Sequence, residues 1–184
     1  TDPGGVAKTP HEAPPAPGIL ALYNRGDRRR WYWRCPHCRE AFEPSFRLLQ
    51  WPDSEDEVEC GEAAMMLCPH CAALIEPERK HELNLGGLWL GEGQRWVDGR
   101  VVGQRLRSDI ASFWLKGPAA AFADWKTLVV NYLKAEREFL RTGNQEALRS
   151  TANTDQGEPY FERGMGETRL PEELADRAED FGSN

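Results

Sequence analysis

The order of apolar and polar residues divides the chain into segments of different character. Residues 1–17 contain five prolines and two glycines with few apolar side chains, a composition typical of a disordered region or an extended linker. Stretches of strand-forming residues follow at 30–34, 42–51 and 64–67. The run 53–62 between them carries six acidic residues and no basic one, which predicts an exposed loop.

The second half of the chain changes from strand-like to helical patterning. Residues 76–83 predict a helix of about two turns, Leu88-Trp89-Leu90 predicts a strand, and the glycines of 91–103 predict turns. Apolar residues then recur at helical spacing, which predicts an amphipathic helix that opens at Pro118 and is capped at Gly143. Its predicted packing face consists of Phe122, Trp125, Leu128, Val129, Tyr132, Leu133, Phe139 and Leu140.

Two shorter helices are predicted beyond the long one. Residues 145–151 form the first candidate. Residues 171–181 form the second, which begins with Pro-Glu-Glu and so places acidic side chains at the helix N-terminus.

Two copies of the tetrapeptide Cys-Pro-His-Cys carry the clearest chemical signal. They lie at 35–38 and 68–71. A Cys-x-x-Cys pair places two thiolates on one tight turn, and two such turns supply the four ligands of a closed tetrahedral zinc site. The sequence therefore predicts one structural zinc bound by Cys35, Cys38, Cys68 and Cys71.

Other chemistry of the cysteines is less well supported. A thioredoxin-like redox pair needs only one such motif beside a βαβ pattern, and a disulfide framework suits a secreted, cysteine-rich chain. An iron–sulfur cluster or a single iron uses the same four thiolates and stays open, as does a site of three cysteines and one histidine, His37 or His70. Cys60 is predicted to be a free or partly buried thiol, and His11 and His81 to be ordinary surface residues.

The order of strands and cysteine turns is that of a zinc ribbon. The predicted fold class is α+β: a small four-cysteine zinc ribbon of short antiparallel strands, followed by a helical segment with one long amphipathic helix. The predicted organisation is a disordered or linker region at 1–17, a zinc-ribbon domain at 18–90, a glycine-rich connector at 91–117 and a helical segment at 118–184. Because so small a ribbon has little core, we expect the metal to contribute to its stability.

Composition and charge narrow the classes of function. The chain is 40% apolar and 29% charged, which predicts a globular fold over part of its length, and no apolar run of 18 residues predicts a membrane span. Its formal net charge of −7 argues against indiscriminate nucleic-acid binding. The sequence contains no phosphate loop, dinucleotide fingerprint, nucleophile elbow or His-Glu-x-x-His motif. A zinc bound by four cysteines also has no open position for activating water.

One basic and aromatic segment is a candidate nucleic-acid surface, because arginines bind phosphates and aromatic rings stack on bases. The simpler interpretation, which we favour, is that alternate residues of this strand pack on the ribbon. The arginines then stay solvated or pair with the acids of 53–62. The candidate contacts are Arg28, Arg29, Arg30, Trp31, Trp33 and Arg34.

Several segments in this order resemble the large terminase subunit of lambda-type (GpA-like) tailed phages. The resemblance covers roughly residues 18–181, and an Asn-Thr-x-x-Gly-x-Pro element after the long helix is its discriminating part. Arg39 departs from the family, which often has glycine at that position. The matching segments are the Arg-rich strand and first cysteine turn at 27–38, the strand up to Trp51, the second cysteine turn, Gly87-Leu88-Trp89, the helix around Trp125, and the Asn-Thr element at 153–159.

The resemblance implies a noncatalytic, zinc-binding connector segment of a phage or prophage terminase large subunit. The full-length protein of that family packages viral DNA with ATP and has endonuclease activity. Its ATPase domain lies before this region and its nuclease domain after it, neither within the chain, so no catalytic or cofactor-binding residue is carried over. Whether the protein is an enzyme stays open.

The implied partners are the flanking ATPase and nuclease domains, with viral DNA, the small terminase subunit or the portal beyond them. The implied location is the cytoplasm of the bacterial host, away from membranes. The chain starts at Thr1 in a proline- and glycine-rich stretch and is expected to be a piece of a longer protein. The alternative is a free-standing zinc-ribbon module that binds nucleic acid or protein, and a small metal-dependent enzyme is the third hypothesis.

Overall fold

A computed structural model of the chain describes residues 7–162 and confirms the α+β fold class. The predicted helix at 171–181 lies outside the described residues. Within them the helices are α1 (Ile19–Asn24), α2 (Glu57–Glu62), α3 (Lys80–Leu85), α4 (Trp125–Thr142) and α5 (Glu146–Ser150). The strands are β1 (Arg29–Arg34), β2 (Ala41–Phe42), β3 (Leu49–Gln50), β4 (Met65–Leu67), β5 (Leu74–Ile75), β6 (Leu88–Leu90), β7 (Arg95–Val97), β8 (Arg100–Val102) and β9 (Phe113–Trp114).

Strand β1 organises the first sheet. Its centre pairs antiparallel with β6, its end pairs antiparallel with β2, and its start pairs parallel with β9. Strands β3, β4 and β5 form a second antiparallel sheet, and β7 and β8 form a separate hairpin. The strands predicted at 30–34, 64–67 and 88–90 are confirmed. The stretch 42–51 is broken into β2, a 3-10 turn and β3, since Pro44 cannot donate to a strand ladder.

The ribbon and α4 share one hydrophobic core. Trp125 of α4 is buried against Trp33 of β1, with ring centroids 6.4 Å apart. Tyr132 of α4 packs on Phe46 of the ribbon at 5.1 Å. The same core includes Met66 of β4 and Leu148 of α5. The ribbon and the long helix therefore pack as one unit around this core.

The acidic run 53–62 is not a loop throughout, because α2 forms within it. The Asp56 side chain accepts hydrogen bonds from the backbone of Val58 and Glu59 and caps the helix N-terminus. Cys60 and Gly61 are buried. A Cβ on Gly61 would lie 2.8 Å from the Lys126 carbonyl oxygen, so glycine permits the close contact with α4. The expectation of an exposed loop is wrong because a side-chain cap and tertiary contact stabilise a helix in spite of its charge.

The long helix begins at Trp125 and not at Pro118. Asp124 caps it by accepting a hydrogen bond from the Thr127 backbone at 2.6 Å, while Pro118 lies in a buried 3-10 turn, Gly117–Ala119. Phe122 consequently falls outside the helix and is 94% exposed. The predicted end is confirmed, since Gly143 adopts a left-handed φ of 75° and caps the C-terminus. The short helix predicted at 145–151 is found as α5.

Residues 11–13 are bonded to β1 and α1, which corrects the expectation of disorder or a free linker for that part of 1–17. His11 is 6% exposed, and its ring nitrogens contact the Arg28 carbonyl oxygen at 2.9 Å and the Tyr32 hydroxyl at 3.0 Å. Ala13 exchanges backbone hydrogen bonds with the Asn24 side chain. Proline-rich composition left these contacts undetected because they are made with residues farther along the chain. His11 is therefore a buried residue, contrary to the sequence expectation.

Candidate metal centre

The two Cys-Pro-His-Cys turns have the same backbone geometry. In the first, the Cys35 backbone N–H donates to the Glu40 carbonyl and the Arg39 N–H donates to the Cys35 carbonyl. In the second, Cys68 is bonded to Ala73 and Ala72 to Cys68 in the same way. Each turn closes a hairpin, β1–β2 or β4–β5, so that strand pairing fixes the position of both thiols on it.

Both turns need a left-handed residue directly after the second cysteine. Arg39 has a φ of 68° and Ala72 a φ of 56°. A residue with a Cβ is strained in this region by roughly 1–2 kcal/mol, which explains why glycine suits the position. The departure at Arg39 thus carries a local conformational cost that the rest of the turn offsets.

The four sulfur atoms converge on one point. Cys35 Sγ lies 3.8 Å from Cys71 Sγ, and Cys38 Sγ lies 3.8 Å from Cys68 Sγ. All four lie within 4.8 Å of one another. A tetrahedral zinc with Zn–S distances of about 2.3 Å has an S–S edge of about 3.8 Å. The arrangement therefore fits a four-thiolate metal ion, with two cysteines from each turn.

Burial makes the centre asymmetric. Cys35 and Cys68, the first cysteine of each turn, are 0% exposed, whereas Cys71 is exposed. Burial raises the pKa of the Cys68 and Cys38 thiols, while a backbone hydrogen bond at Ala73 lowers the pKa of Cys71. Four thiolates this close need a cation to balance their charge, and a metal ion that displaces the protons supplies it.

The remaining candidate ligands lie outside this group. Cys60 is buried, and its thiol points to the carbonyl oxygens of Pro52 and Ser54 at 3.4 Å, which confirms the expectation of a buried free thiol. His70 Nε2 donates to the Ala41 carbonyl oxygen at 3.1 Å and so links the second turn to β2. His37 is exposed, with its backbone N–H 3.4 Å from Cys35 Sγ.

Arg28, just before β1, and the first two arginines of β1 form ion pairs within the protein. Arg28 pairs with Glu92 at 2.7 Å, Arg29 with Asp27 at 2.8 Å, and the buried Arg30 with Glu43 at 3.1 Å. The pairing with acids was expected, but these acids are not those of the run 53–62. Among the described residues, the acids of 53–62 instead form ion pairs with α4. Glu57 pairs with Arg137 and Glu62 pairs with Lys126.

The aromatic residues of β1 serve packing. Trp33 is fully buried, and both Trp31 and Trp33 donate to the Asn84 side-chain oxygen, at 3.2 and 2.9 Å. Trp31 also packs edge-on against Trp89. Arg34 differs from its neighbours, because its guanidinium lies 5.6 Å from the ring centroid of Trp96 and donates to the Arg39 carbonyl oxygen. Arg34 thus lies between the first cysteine turn and the ring of Trp96.

The element at 153–159 packs on the segment before α4. Trp114 Nε1 donates to the Gly157 carbonyl oxygen at 2.6 Å, and Lys116 pairs with Glu158 at 2.9 Å. A Cβ on Gly117 would lie 1.7 Å from the Asp155 carbonyl oxygen. The element at 153–159 is visible in the sequence, but its packing on the segment around Gly117 is not. That close backbone approach depends on the tertiary structure.

A buried ionic bridge connects the ribbon to this segment. Glu43 Oε2, beside β2, lies 3.1 Å from Arg30 and 3.4 Å from Lys116. Arg30 also stacks on Trp114, 4.5 Å from the ring centroid, next to the parallel pairing of β1 with β9. Residues far apart in sequence therefore hold the two halves of the chain together.

Two family models match the chain. The phage terminase large subunit gpA ATPase domain matches residues 6–89, and the terminase large subunit gpA endonuclease domain matches residues 110–184. The chain belongs to the phage terminase large subunit family of the gpA type. No curated protein and no solved structure matches it.

The two matches place the site within the family. All four clustered cysteines fall in the ATPase-domain match, while α4 and the element at 153–159 fall in the endonuclease-domain match. The resemblance in the sequence implied that the whole chain lies between the ATPase and nuclease domains. The two domain models instead match parts of the chain itself and leave residues 90–109 uncovered. In the part of the chain that the structure describes, no helix is long and apolar enough to cross a membrane.

Proposed function

We propose that this chain is a noncatalytic connector within a terminase large subunit, where a four-cysteine zinc ribbon joins the ATPase region to the endonuclease region. Support comes from the two family matches, at residues 6–89 and 110–184, because the described parts of both lie in one fold. The observation that carries the proposal is the shared core. Trp33 lies in the ATPase-domain match and Trp125 in the endonuclease-domain match, and they pack on each other.

The physical task of such a connector is to hold the ATPase and endonuclease regions in a fixed position relative to each other. Strand β9 from the endonuclease side pairs with β1 from the ATPase side, and Glu43 bridges Arg30 and Lys116 across the same boundary. Breaking a buried ion pair by removing one partner costs about 3–5 kcal/mol. A junction bonded in this way resists hinge motion, so that movement of one region displaces the other.

The metal has a structural role in this proposal. Four thiolates occupy every position of a tetrahedral zinc, so the ion has no open position for activating water. It would clamp the β1–β2 hairpin to the β4–β5 hairpin through the four clustered cysteines. The ATPase and endonuclease regions of the parent chain are the direct partners, and viral DNA, the small terminase subunit and the portal are further proposed ones, in the host cytoplasm.

Metal analysis of the purified chain tests the ligand set and the identity of the ion. We expect one zinc per chain, retained in Cys60→Ser and lost in Cys35→Ser. Cys60→Ser is the matched control because both cysteines are buried but only Cys35 belongs to the sulfur cluster. Stoichiometric iron in place of zinc, or equal zinc content in the two variants, would overturn this part of the proposal.

Activity assays test the noncatalytic role. The isolated chain is expected to hydrolyse neither ATP nor DNA, since its sequence contains no phosphate loop and a metal bound by four cysteines has no open position for activating water. Metal-dependent cleavage of plasmid DNA that elutes with the chain, and that is abolished by substitution of one of its acidic residues, would refute the connector role.

A further inference from the structure

The structure contains an exposed basic hairpin that the metal centre and the core do not use. We propose that the β7–β8 hairpin, together with Arg34 and Arg39 beside it, binds the phosphate backbone of duplex DNA. This inference deepens the proposed function, on which it rests for viral DNA as a partner, by naming the residues that contact the DNA, and it would hold whichever metal the cysteines bind.

The hairpin is a regular two-stranded ribbon. Its two central turn residues are Asp98, with a φ of 48°, and Gly99, with a φ of 78°. Positive φ at both positions is the type I′ turn, whose twist matches that of the flanking strands. The register is fixed, with Arg95 opposite Val102 and Val97 opposite Arg100. The ribbon therefore presents its side chains in a defined pattern.

The two faces of the ribbon differ. Residues directly opposite each other in an antiparallel pair share a face, so Arg95, Val97, Arg100 and Val102 lie on one face and Trp96 and Val101 on the other. The four residues of the first face are all exposed. Arg95 and Arg100 are diagonal neighbours, with Cβ atoms about 7–8 Å apart. This face thus displays two guanidinium groups and no acidic side chain.

The opposite face seats the ribbon on the first cysteine turn. The Trp96 ring lies under the Arg34 guanidinium, and a Cβ on Gly99 would lie 3.4 Å from Arg34 Nη1. Arg34 in turn donates to the carbonyl of Arg39, which is exposed. The base of the hairpin is bonded as well, since the Leu106 N–H donates to the Glu92 carbonyl at 2.8 Å. The hairpin and Arg34 are therefore held in place before any ligand arrives, and the exposed side chains of Arg95 and Arg100 project from a fixed backbone.

The surface carries arginines that have no acidic partner among the described residues. The chain as a whole carries −7, and Arg28, Arg29 and Arg30 all pair with acids. In contrast, Arg95, Arg100 and Arg39 make no ion pair with any residue between 7 and 162. Unpaired arginines on an otherwise acidic protein define a local positive surface that is complementary to a polyanion.

The shape of the surface favours duplex DNA over an acidic polypeptide. A two-stranded ribbon fits the major groove, and arginine forks bind phosphate bidentately. The β-branched Val97, Val101 and Val102 are 39–45% exposed and stand beside the arginines without forming a pocket for a peptide side chain. Stacking of a single strand would need a free aromatic face, and Trp96 is already covered by Arg34.

Salt-dependent binding of a labelled duplex to the 184-residue chain tests the proposal. The variant is Arg95→Ala/Arg100→Ala. The matched control is Arg79→Ala/Arg141→Ala, which removes the same charge from two exposed arginines that pair with acids on their own helical turns. Fluorescence anisotropy is measured between about 50 and 200 mM salt. Zinc content and far-UV circular dichroism of all variants serve to show that the fold is intact.

Each phosphate contact contributes about 0.9 to the slope of log K against log salt. Loss of two contacts should therefore reduce the slope by about 1.8 and the affinity by about 30-fold at roughly 0.15 M salt. The control should keep both values, and Arg95→Lys/Arg100→Lys should keep most of the slope because it keeps the charge. Three results would overturn the proposal: an equal loss in the control, a tighter complex with single-stranded DNA, or equally tight binding of polyglutamate.

Discussion

Replacing Trp125 by alanine tests whether the ribbon and the long helix form one folding unit. Trp125 is 1% exposed, packs against Trp33, and donates from its indole nitrogen to the Pro118 carbonyl oxygen at 3.0 Å. Phe122 is the matched control. Sequence periodicity places both aromatics on the packing face, whereas the structure leaves Phe122 94% exposed.

The magnitude follows from burial. Truncating a buried tryptophan to alanine costs about 3–5 kcal/mol, and the carbonyl of Pro118 loses its partner, which adds on the order of 1 kcal/mol. We expect Trp125→Ala to lower the free energy of unfolding by about 5 kcal/mol, or about 2.5 M in urea midpoint for a slope near 2 kcal/mol/M. Phe122→Ala should change it by less than about 0.5 kcal/mol.

Two readouts separate a shared core from two independent ones. Helix content is followed by far-UV circular dichroism, and metal release is followed by a chromophoric chelator in the same urea titration. With one core, both transitions of Trp125→Ala shift to lower urea together. A metal-release midpoint that stays at the wild-type value while helix content is lost earlier would refute the shared core, and so would a large loss in Phe122→Ala.

Two further predictions concern packing and pH. Gly117→Ala should destabilise the protein by about 3 kcal/mol, because the added Cβ would clash with the Asp155 backbone. The control Gly86→Ala should be near neutral, since its Cβ would meet nothing closer than 3.7 Å. Equal urea midpoints for the two variants would contradict this prediction. Burial lowers the pKa of His11 below 6.5. As the pH falls, the unfolded state therefore binds the imidazole proton before the folded state does. The stability that the neutral ring provides is then lost below about pH 6.5. The urea midpoint of wild type should therefore fall more than that of His11→Asn between pH 7.5 and 5.5, and parallel falls would show that His11 does not contribute.

Local patterns in the sequence determined a large part of the site. The matched spacing of Cys35, Cys38, Cys68 and Cys71 predicted the cluster that the structure brings together. Two cysteines on one tight turn place their sulfur atoms on the same side, where both can bind one ion. Strand β1 and the C-terminal cap at Gly143 followed from residue type in the same way. The hairpin at β7–β8 was also readable, since Asp98-Gly99 between β-branched residues is a strong signal for a two-residue turn, but the glycines around it suggested only turns.

Tertiary structure alone decided how these local elements are joined. The close approach at Gly117 and the bridging of Arg30 and Lys116 by Glu43 both depend on residues distant in sequence. Periodicity and composition describe neighbours along the chain. They do not reveal which carbonyl or carboxylate group of a distant segment will lie against a given residue. For that reason the sequence determined the cysteine turns and the strands that carry them. Only the folded chain decided that the ribbon and the long helix share one core, and that the 153–159 element packs on the segment before that helix.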